Sequence, residues 1–413
     1  ARSGKSTGVV LPALLTWTES MILLDIGGQY HTKTSGWRAS QGQNVFRFEP
    51  SASEGSARYN PLAEIRIGTP YQNSDCINVA TSLQSFWEPE AFLWLTSAIL
   101  HVLYQVRDEE ERTANLADVL RFLCSGVANG HGEKREEDQF MKLLLHMENY
   151  QHGNEDADKE VRRAASRIRL HTADKRTDIS SRALASLAIF ADPLIAQNTS
   201  ACDFNINDLM NAGQPTNVYL VLPPAEIGRL KMLMRLILNQ VLTRLTTTTL
   251  PYKHRMLLML DDFCLLGKLN NLQRLLPVLK EYGIKAFLVT PDISHLHNAY
   301  GPDQSFLFHC HVRIAYAPCY RETAQVLSKM TGTITCESDL QSSQPLMTPE
   351  ECMLIPGLQH DDTGSVKKAG KMLIFTAAKP TIYTRQLLFF EDEELSARSR
   401  MNPSGNIMDG KLQ

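Results

Sequence analysis

The 413 residues predict an α/β fold, a parallel sheet with helices on both faces, into which an all-α domain is inserted. Three observations carry that expectation. Short apolar runs at 21–25 (MILLD) and 256–262 (MLLMLDD) end in carboxylates, as buried parallel strands do when they deliver an acid to the edge of a sheet. From residue 216 onward strands alternate with helices, the pattern of a parallel sheet covered on both sides. Between residues 74 and 177 apolar side chains recur at spacings of three and four with few strand signals, so that stretch reads as helical throughout.

The first element is a loop. Gly4, Lys5, Ser6 and Thr7 form the end of G-x-x-x-x-G-K-[ST] and run into the apolar stretch 9–15. In that motif backbone N–H groups and a helix N-terminus hold phosphates, the lysine reaches the β- and γ-phosphates, and the hydroxyl after it holds Mg²⁺. Lys5 is thereby assigned to phosphate and Ser6 to the metal. Arg2, Ser3, Gly4, Lys5, Ser6 and Thr7 together are the nucleotide-binding candidates. The motif's first glycine and the strand that feeds the loop would precede Ala1, so the chain reads as a fragment of a longer protein. A lone G-K-S-T is a weak signal, and the strand-end acids strengthen it.

The strand 21–25 follows, ending at Asp25 and then Gly27 and Gly28. A loop-rich segment, 38–61, holds a second short strand near 45–48. Helices are expected at 75–83, 91–104, 117–123, 137–150 and 156–168, and the interrupted apolar segment 93–104 reads as a buried helix. After them come strands at 216–222, 255–260, 284–290, 311–316 and 372–376, alternating with helices at 225–245, 269–282 and 320–330. The strand 255–260 has the form of a Walker B strand: Asp261 would join the Mg²⁺ shell, and Asp262 would orient or deprotonate the attacking water. The alternative is two core strands with solvated acids at their ends. The expected domains are 1–73 and 178–396 for the two parts of the nucleotide-binding fold, 74–177 for the helical insertion, and a disordered tail at 397–413.

With 43% hydrophobic and 21% charged residues, the chain can bury a sizeable core and fill two or three domains. Its net charge of −3 argues against a uniformly basic nucleic-acid surface, though not against a local basic channel. Eight scattered cysteines without a C-x-x-C pair read as reduced thiols. His309, Cys310 and His311 resemble a metal triplet, but neighbouring side chains on a strand face opposite sides and cannot all converge on one ion. No apolar run reaches the length of about 18 residues that a membrane-spanning helix needs.

Residues 260–301 (LDDFCLLGKLNNLQRLLPVLKEYGIKAFLVTPDISHLHNAYG) resemble the Walker B region of the coupling proteins of conjugative type IV secretion systems, the TraG-type ATPases. Residues 2–15 (RSGKSTGVVLPALL), 24–36 (LDIGGQYHTKTSG), 217–223 (NVYLVLP) and 311–332 resemble further family segments in the same order. The helical insertion also sits where the family carries its all-α domain. The resemblance implies a RecA-like P-loop NTPase fold that uses ATP and Mg²⁺. It further implies a membrane-anchored homohexameric ring on the cytoplasmic face of the bacterial inner membrane. Such a ring recruits the relaxase or relaxosome and passes single-stranded DNA to the components of a type IV secretion channel. Two alternatives stand beside it: another hexameric P-loop DNA translocase, and a non-hydrolysing nucleotide-dependent scaffold.

Several residues depart from the family pattern. Asp262 stands where the family usually has glutamate, and an acid shorter by one methylene pulls its oxygen back far enough to cost on the order of 10²-fold if it positions water. Gly27 and Gln29 replace the lysine and glutamate of the family's D-x-K-G-E, and Thr290-Pro291 replaces a polar glutamine after the next strand. Weakened hydrolysis is the expectation. Arg313, in a strand-like HVRIAY, is the candidate finger onto a neighbouring subunit's nucleotide; otherwise it is a sheet-edge arginine paired with a carboxylate. The run Arg162, Arg163, Arg167 and Arg169 would face cargo, or form a solvated helix face paired with acids such as Asp158 and Glu160.

Overall fold

The computed structural model describes residues 3–83, 88–126, 133–247, 252–336, 339–362 and 366–402, and the chain divides into two compact units. The first comprises Ala1–Val45, Ala212–Val221 and Pro251–Ile407. It holds a five-stranded sheet of β1 (Ser20–Ile26), β2 (Asn44–Phe48), β3 (Thr216–Leu222), β4 (Met256–Leu260) and β5 (Ile284–Leu288), in the order β2-β3-β1-β4-β5. β1 runs parallel to β4, with Leu24 opposite Leu260, and β4 runs parallel to β5. Every residue of β3 and β4 is buried, and all of β1 except Ile26, as central strands covered on both faces require. The register sets Asp25 and Asp261, each one residue past its paired leucine, at the carboxyl ends of neighbouring strands, where α/β sheets bind ligands.

α1 (Leu11–Thr16) packs Leu11, Leu14 and Leu15 onto this sheet in one core with Met21, Leu23, Tyr219, Leu257 and Met259. α2 (Gln29–Ser40) is a full helix that no expectation covered, and only its last residues, from 38, enter the segment expected to be loop-rich. Its buried residues include Thr34, Ser35 and Gly36, small and polar, so no apolar stripe announces it.

The second unit, Phe46–Asn211, Leu222–Leu250 and Met408–Gln413, has helices as its regular structure in the residues described, apart from the end of β2 and the last residue of β3. α3 (Gln72–Leu83), α4 (Pro89–Glu110), α5 (Leu116–Ser125), α6 (Glu133–Asn149), α7 (Glu155–Arg169) and α8 (Ala173–Leu187) are followed by the short α9 (Pro193–Asn198) and α10 (Asp208–Asn211). Their starts are written in the sequence. Glu88, Asn154 and Thr172 accept from first-turn amides, and Asn115 with Asp118 forms a capping box. α4 is the buried helix expected at 93–104. The expected boundary at 177, however, falls inside α8, whose cap is Thr172. α11 (Ile227–Leu245), expected to cover the sheet, packs on α3 in this unit, with Asn239 Nδ2 donating to Ser82 Oγ at 3.4 Å and Gln240 Nε2 to the Pro61 carbonyl at 2.8 Å. The arginine run is a solvated face paired largely with acids of neighbouring helices: Arg163 with Glu160 of α7 itself, Arg167 with Glu90 of α4, and Arg169 with Glu148 of α6. Asp158 is taken by His152 instead.

In the remainder of the first unit the expected helix 269–282 is broken. α12 (Asn270–Leu275) stops and a 3₁₀ turn, Leu279–Tyr282, resumes, because Pro277 between them offers no N–H and clashes with the preceding turn. α13 (Ile293–Tyr300) and α14 (Phe306–His309) follow. The strands expected at 311–316 and 372–376 do not join the parallel sheet. β6 (Val312–Ala315) is followed by α15 (Arg321–Thr331), the antiparallel pair β7 (Thr333–Cys336) and β8 (Asp339–Pro345), α16 (Pro349–Met353), and the pair β9 (Gln359–His360) and β10 (Val366–Lys368). β11 (Lys371–Thr376) and β12 (Ile382–Arg385) then form with β6 an antiparallel sheet in the order β12-β11-β6. The alternating exposure of β6 is that of a strand with one solvated face. The expected tail begins as helix: α17 (Glu393–Ser399), capped by Asp392, buries Leu395 in the sheet core, and residues 403–413 lie outside those described. Among the described residues no helix is long and apolar enough to cross a membrane.

Candidate active site

The phosphate-loop motif stands at the start of α1. Gly4 has φ +92°, a left-handed backbone that strains any residue with a Cβ, and the side-chain end of Gln386 lies close by on the side a Cβ would occupy. Gly8 N–H donates to the Gly4 carbonyl at 2.7 Å, and residues Ser6–Val10 form a wide π turn that leads into the helix. The far end of the chain clasps this loop. Gln386 Nε2 donates to the Ser3 carbonyl at 3.1 Å, and Phe389 N–H to the Thr7 carbonyl at 3.1 Å.

Lys5 and the acids after β4 meet around the loop. Lys5 Nζ lies 3.4 Å from Asp262 Oδ1 and donates to the Thr290 carbonyl, just past β5, at 3.3 Å. Ser6 and Asp261 are joined by Tyr30, near the start of α2: its hydroxyl is 2.9 Å from Ser6 Oγ and 2.5 Å from Asp261 Oδ2. A phenol has one proton. The Asp261 carboxylate takes it, and the Ser6 hydroxyl supplies the second bond. Burial pushes the Asp261 carboxyl up, the Tyr30 hydrogen bond opposing, and burial followed by the Asp261 charge pushes the Tyr30 phenol up. Asp25 lies on β1, one residue past Leu24. It is fully buried and accepts from the backbone N–H of Tyr30 at 3.3 Å and of His31 at 2.8 Å, fixing the start of α2.

The sequence therefore placed Lys5, Ser6, Asp261 and Asp262 in one site, and the fold brings all four together. Arg2 lies outside the described residues. Tyr30, Gln386 and Phe389 were missed; the faint signal for Tyr30 is a lone aromatic with a polar handle at a helix start beside the motif. A hydroxyl and a carboxylate oxygen converging on one point are hard oxygen donors, the set that suits Mg²⁺.

The family described as type IV secretory system conjugative DNA transfer matches residues 1–406. This chain belongs to that conjugative DNA-transfer family. The conjugal transfer protein TraG of Escherichia coli is 34% identical over 452 residues, covering 100% of this chain and 69% of that protein. Protein VirD4 of Agrobacterium fabrum is 27% identical over 419 residues, covering 95% of this chain and 58% of the relative. Among solved structures, the plasmid coupling protein TrwB in complex with ADP and Mg²⁺ superposes with a TM-score of 0.66 at 16% identity, over 94% of this chain and 83% of that one. The unbound form of TrwB gives 0.68. The RecA-like fold is thus common to both.

Two departures within this conjugative DNA-transfer protein have local causes. Asp262 adopts φ 45° and ψ 36°, a left-handed conformation that aspartate tolerates better than longer side chains do. At Thr290-Pro291 the backbone carbonyl of Thr290, rather than a side-chain amide, faces Lys5. Arg313 sits on the edge strand β6 opposite Phe375, and its Nε donates to the Cys310 carbonyl at 3.1 Å. Among the described residues it pairs with no carboxylate and forms no bond with Lys5, Ser6, Asp261 or Asp262.

Proposed function

We propose that this chain is an ATP-binding and ATP-hydrolysing coupling protein that drives single-stranded DNA and its bound relaxase toward a type IV secretion channel. The observation that carries the reading is the meeting of Lys5, Ser6, Asp261 and Asp262 at the carboxyl edge of one parallel sheet. The nucleotide phosphates draw Lys5 away from Asp262 and Thr290, replacing a partly exposed ion pair with charge-assisted bonds. Asp262, released from Lys5, orients the attacking water and takes its proton as oxygen attacks the γ-phosphorus and ADP leaves. Mg²⁺, held by Ser6 and Asp261, supplies charge neutralisation when bound. Arg313 of one subunit reaches the nucleotide of the next in a homohexameric ring, attached to the cytoplasmic face of a bacterial inner membrane.

Lys5→Ala tests the reading. Lys5 is the motif's lysine, and its loss should weaken fluorescent ATP binding by on the order of 10²-fold or more. Unchanged affinity would remove the site. A second reading, a nucleotide-dependent scaffold that does not hydrolyse, is favoured by Asp262 and Pro291, and steady-state ATP turnover with single-stranded DNA present separates the two.

A further inference from the structure

Tyr30 is the residue of the site that the motif chemistry leaves unexplained. Its hydroxyl bridges the two side chains assigned to the cation, Ser6 and Asp261, and its side chain is fully buried. The ring is held from several sides. Asp25 fixes the first amides of α2, the Tyr30 carbonyl accepts from Thr34 Oγ1 at 2.7 Å, and the ring lies in the core cluster with Leu14, Leu15 and Met21. A cation that took both oxygens at about 2.1 Å would compete with a phenol oxygen that bridges the same two atoms.

We infer that the Tyr30 hydroxyl occupies the cation position of the nucleotide site, and that a divalent ion binds productively only by displacing it. The inference rests on the proposed nucleotide site. Tyr30 is a positioning residue under it: it holds Ser6 and Asp261 in place without the ion and yields to the ion once phosphates help to hold it. Two consequences follow from linkage. Removing the hydroxyl tightens cation binding, because the competing bond to a charged acceptor is gone. The same hydroxyl stabilises the protein without the ion and contributes nothing when the ion is bound.

The test compares wild type with Tyr30→Phe, which keeps the ring. Binding of fluorescent ADP is first measured in chelator, and Mn²⁺ is then titrated into the ADP complex with free Mn²⁺ read by electron paramagnetic resonance. The Phe variant should show unchanged ADP affinity in chelator and a half-saturating Mn²⁺ concentration about tenfold lower. Thermal melts give a second reading: the variant should melt below wild type without Mn²⁺, and the two should converge at saturation. A merely structural tyrosine would leave the same gap in both conditions. Equal or weaker Mn²⁺ affinity in the variant, with ADP bound normally by both proteins, overturns the inference alone. Failure of wild type to bind ADP at all overturns the nucleotide site and the inference with it.

Discussion

Asp262 carries the sharpest conflict in the site between local backbone and chemistry. A left-handed non-glycine residue costs about 1 kcal/mol, and aspartate or asparagine bears that cost better than glutamate. The shorter acid therefore suits the turn after β4, while its reach suits catalysis less well. Asp262→Glu should raise ATP turnover by restoring reach and lower stability by about 1 kcal/mol through the backbone. Asp262→Asn keeps the turn and should lower turnover while leaving nucleotide affinity nearly unchanged, since the Lys5 contact is partly exposed and worth about 1 kcal/mol at most. Turnover and affinity are measured side by side with thermal melts. A Glu variant no faster than a wild type that shows no turnover even with single-stranded DNA would end the ATPase reading. The meeting of Lys5, Ser6, Asp261 and Asp262 was legible because these residue types stand at the fixed spacing of two motifs. Tyr30 and Gln386 were not, since their roles exist only once α2 and the chain end fold against the loop.

Elements were legible where their chemistry is local and obscure where a distant partner decides. Apolar runs marked β1, β3 and β4, and apolar spacing of three and four marked the helices of the second unit. The alternation of β6 was read as another parallel strand, although its pairing with β11 decides otherwise. α4 supplies a testable consequence of burial. His101, fully buried, lies 3.0 Å through Nδ1 from His152 Nε2, and His152 Nδ1 lies 2.8 Å from Asp158 Oδ1. Burial, aided by His152 and His146, pushes the His101 imidazole down to about 3, and burial lowers His152 despite Asp158. Folded values below the unfolded value of about 6.5 mean that the unfolded chain binds more protons in acid. The stability is thus present at neutral pH and lost as pH falls from about 6.5 toward 3, at about 1.4 kcal/mol per pH unit from His101 alone. Melting temperature should fall between pH 7.5 and 5, and His101→Leu should flatten that slope. An unchanged slope in the variant would show that His101 titrates freely in the fold.

At the scale of the whole chain, both units are discontinuous: the backbone changes unit after Val45, Asn211, Val221, Leu250 and Ile407. Reading a sequence as consecutive blocks cannot show this, which is why α11, a helix directly after a sheet strand, was expected to cover the sheet. The proposed ring adds a further scale, and Arg313 tests it. Its guanidinium makes one bond, to a backbone carbonyl, and pairs with no acid among the described residues, which leaves its remaining donors for a partner. A finger of this kind contributes on the order of 10³-fold or more to phosphoryl transfer without holding the ground-state nucleotide. Arg313→Ala should therefore lower turnover by about that factor while nucleotide affinity changes little. Action across subunits makes a stricter demand. Subunits with Lys5→Ala cannot bind ATP but still carry Arg313, and subunits with Arg313→Ala bind ATP but offer no finger. Each alone should be inactive, and co-assembled they should regain part of the wild-type turnover, because an intact site on one subunit then faces an intact arginine on its neighbour. If mixed assemblies remain as inactive as the separate variants, Arg313 acts within its own subunit or not at all.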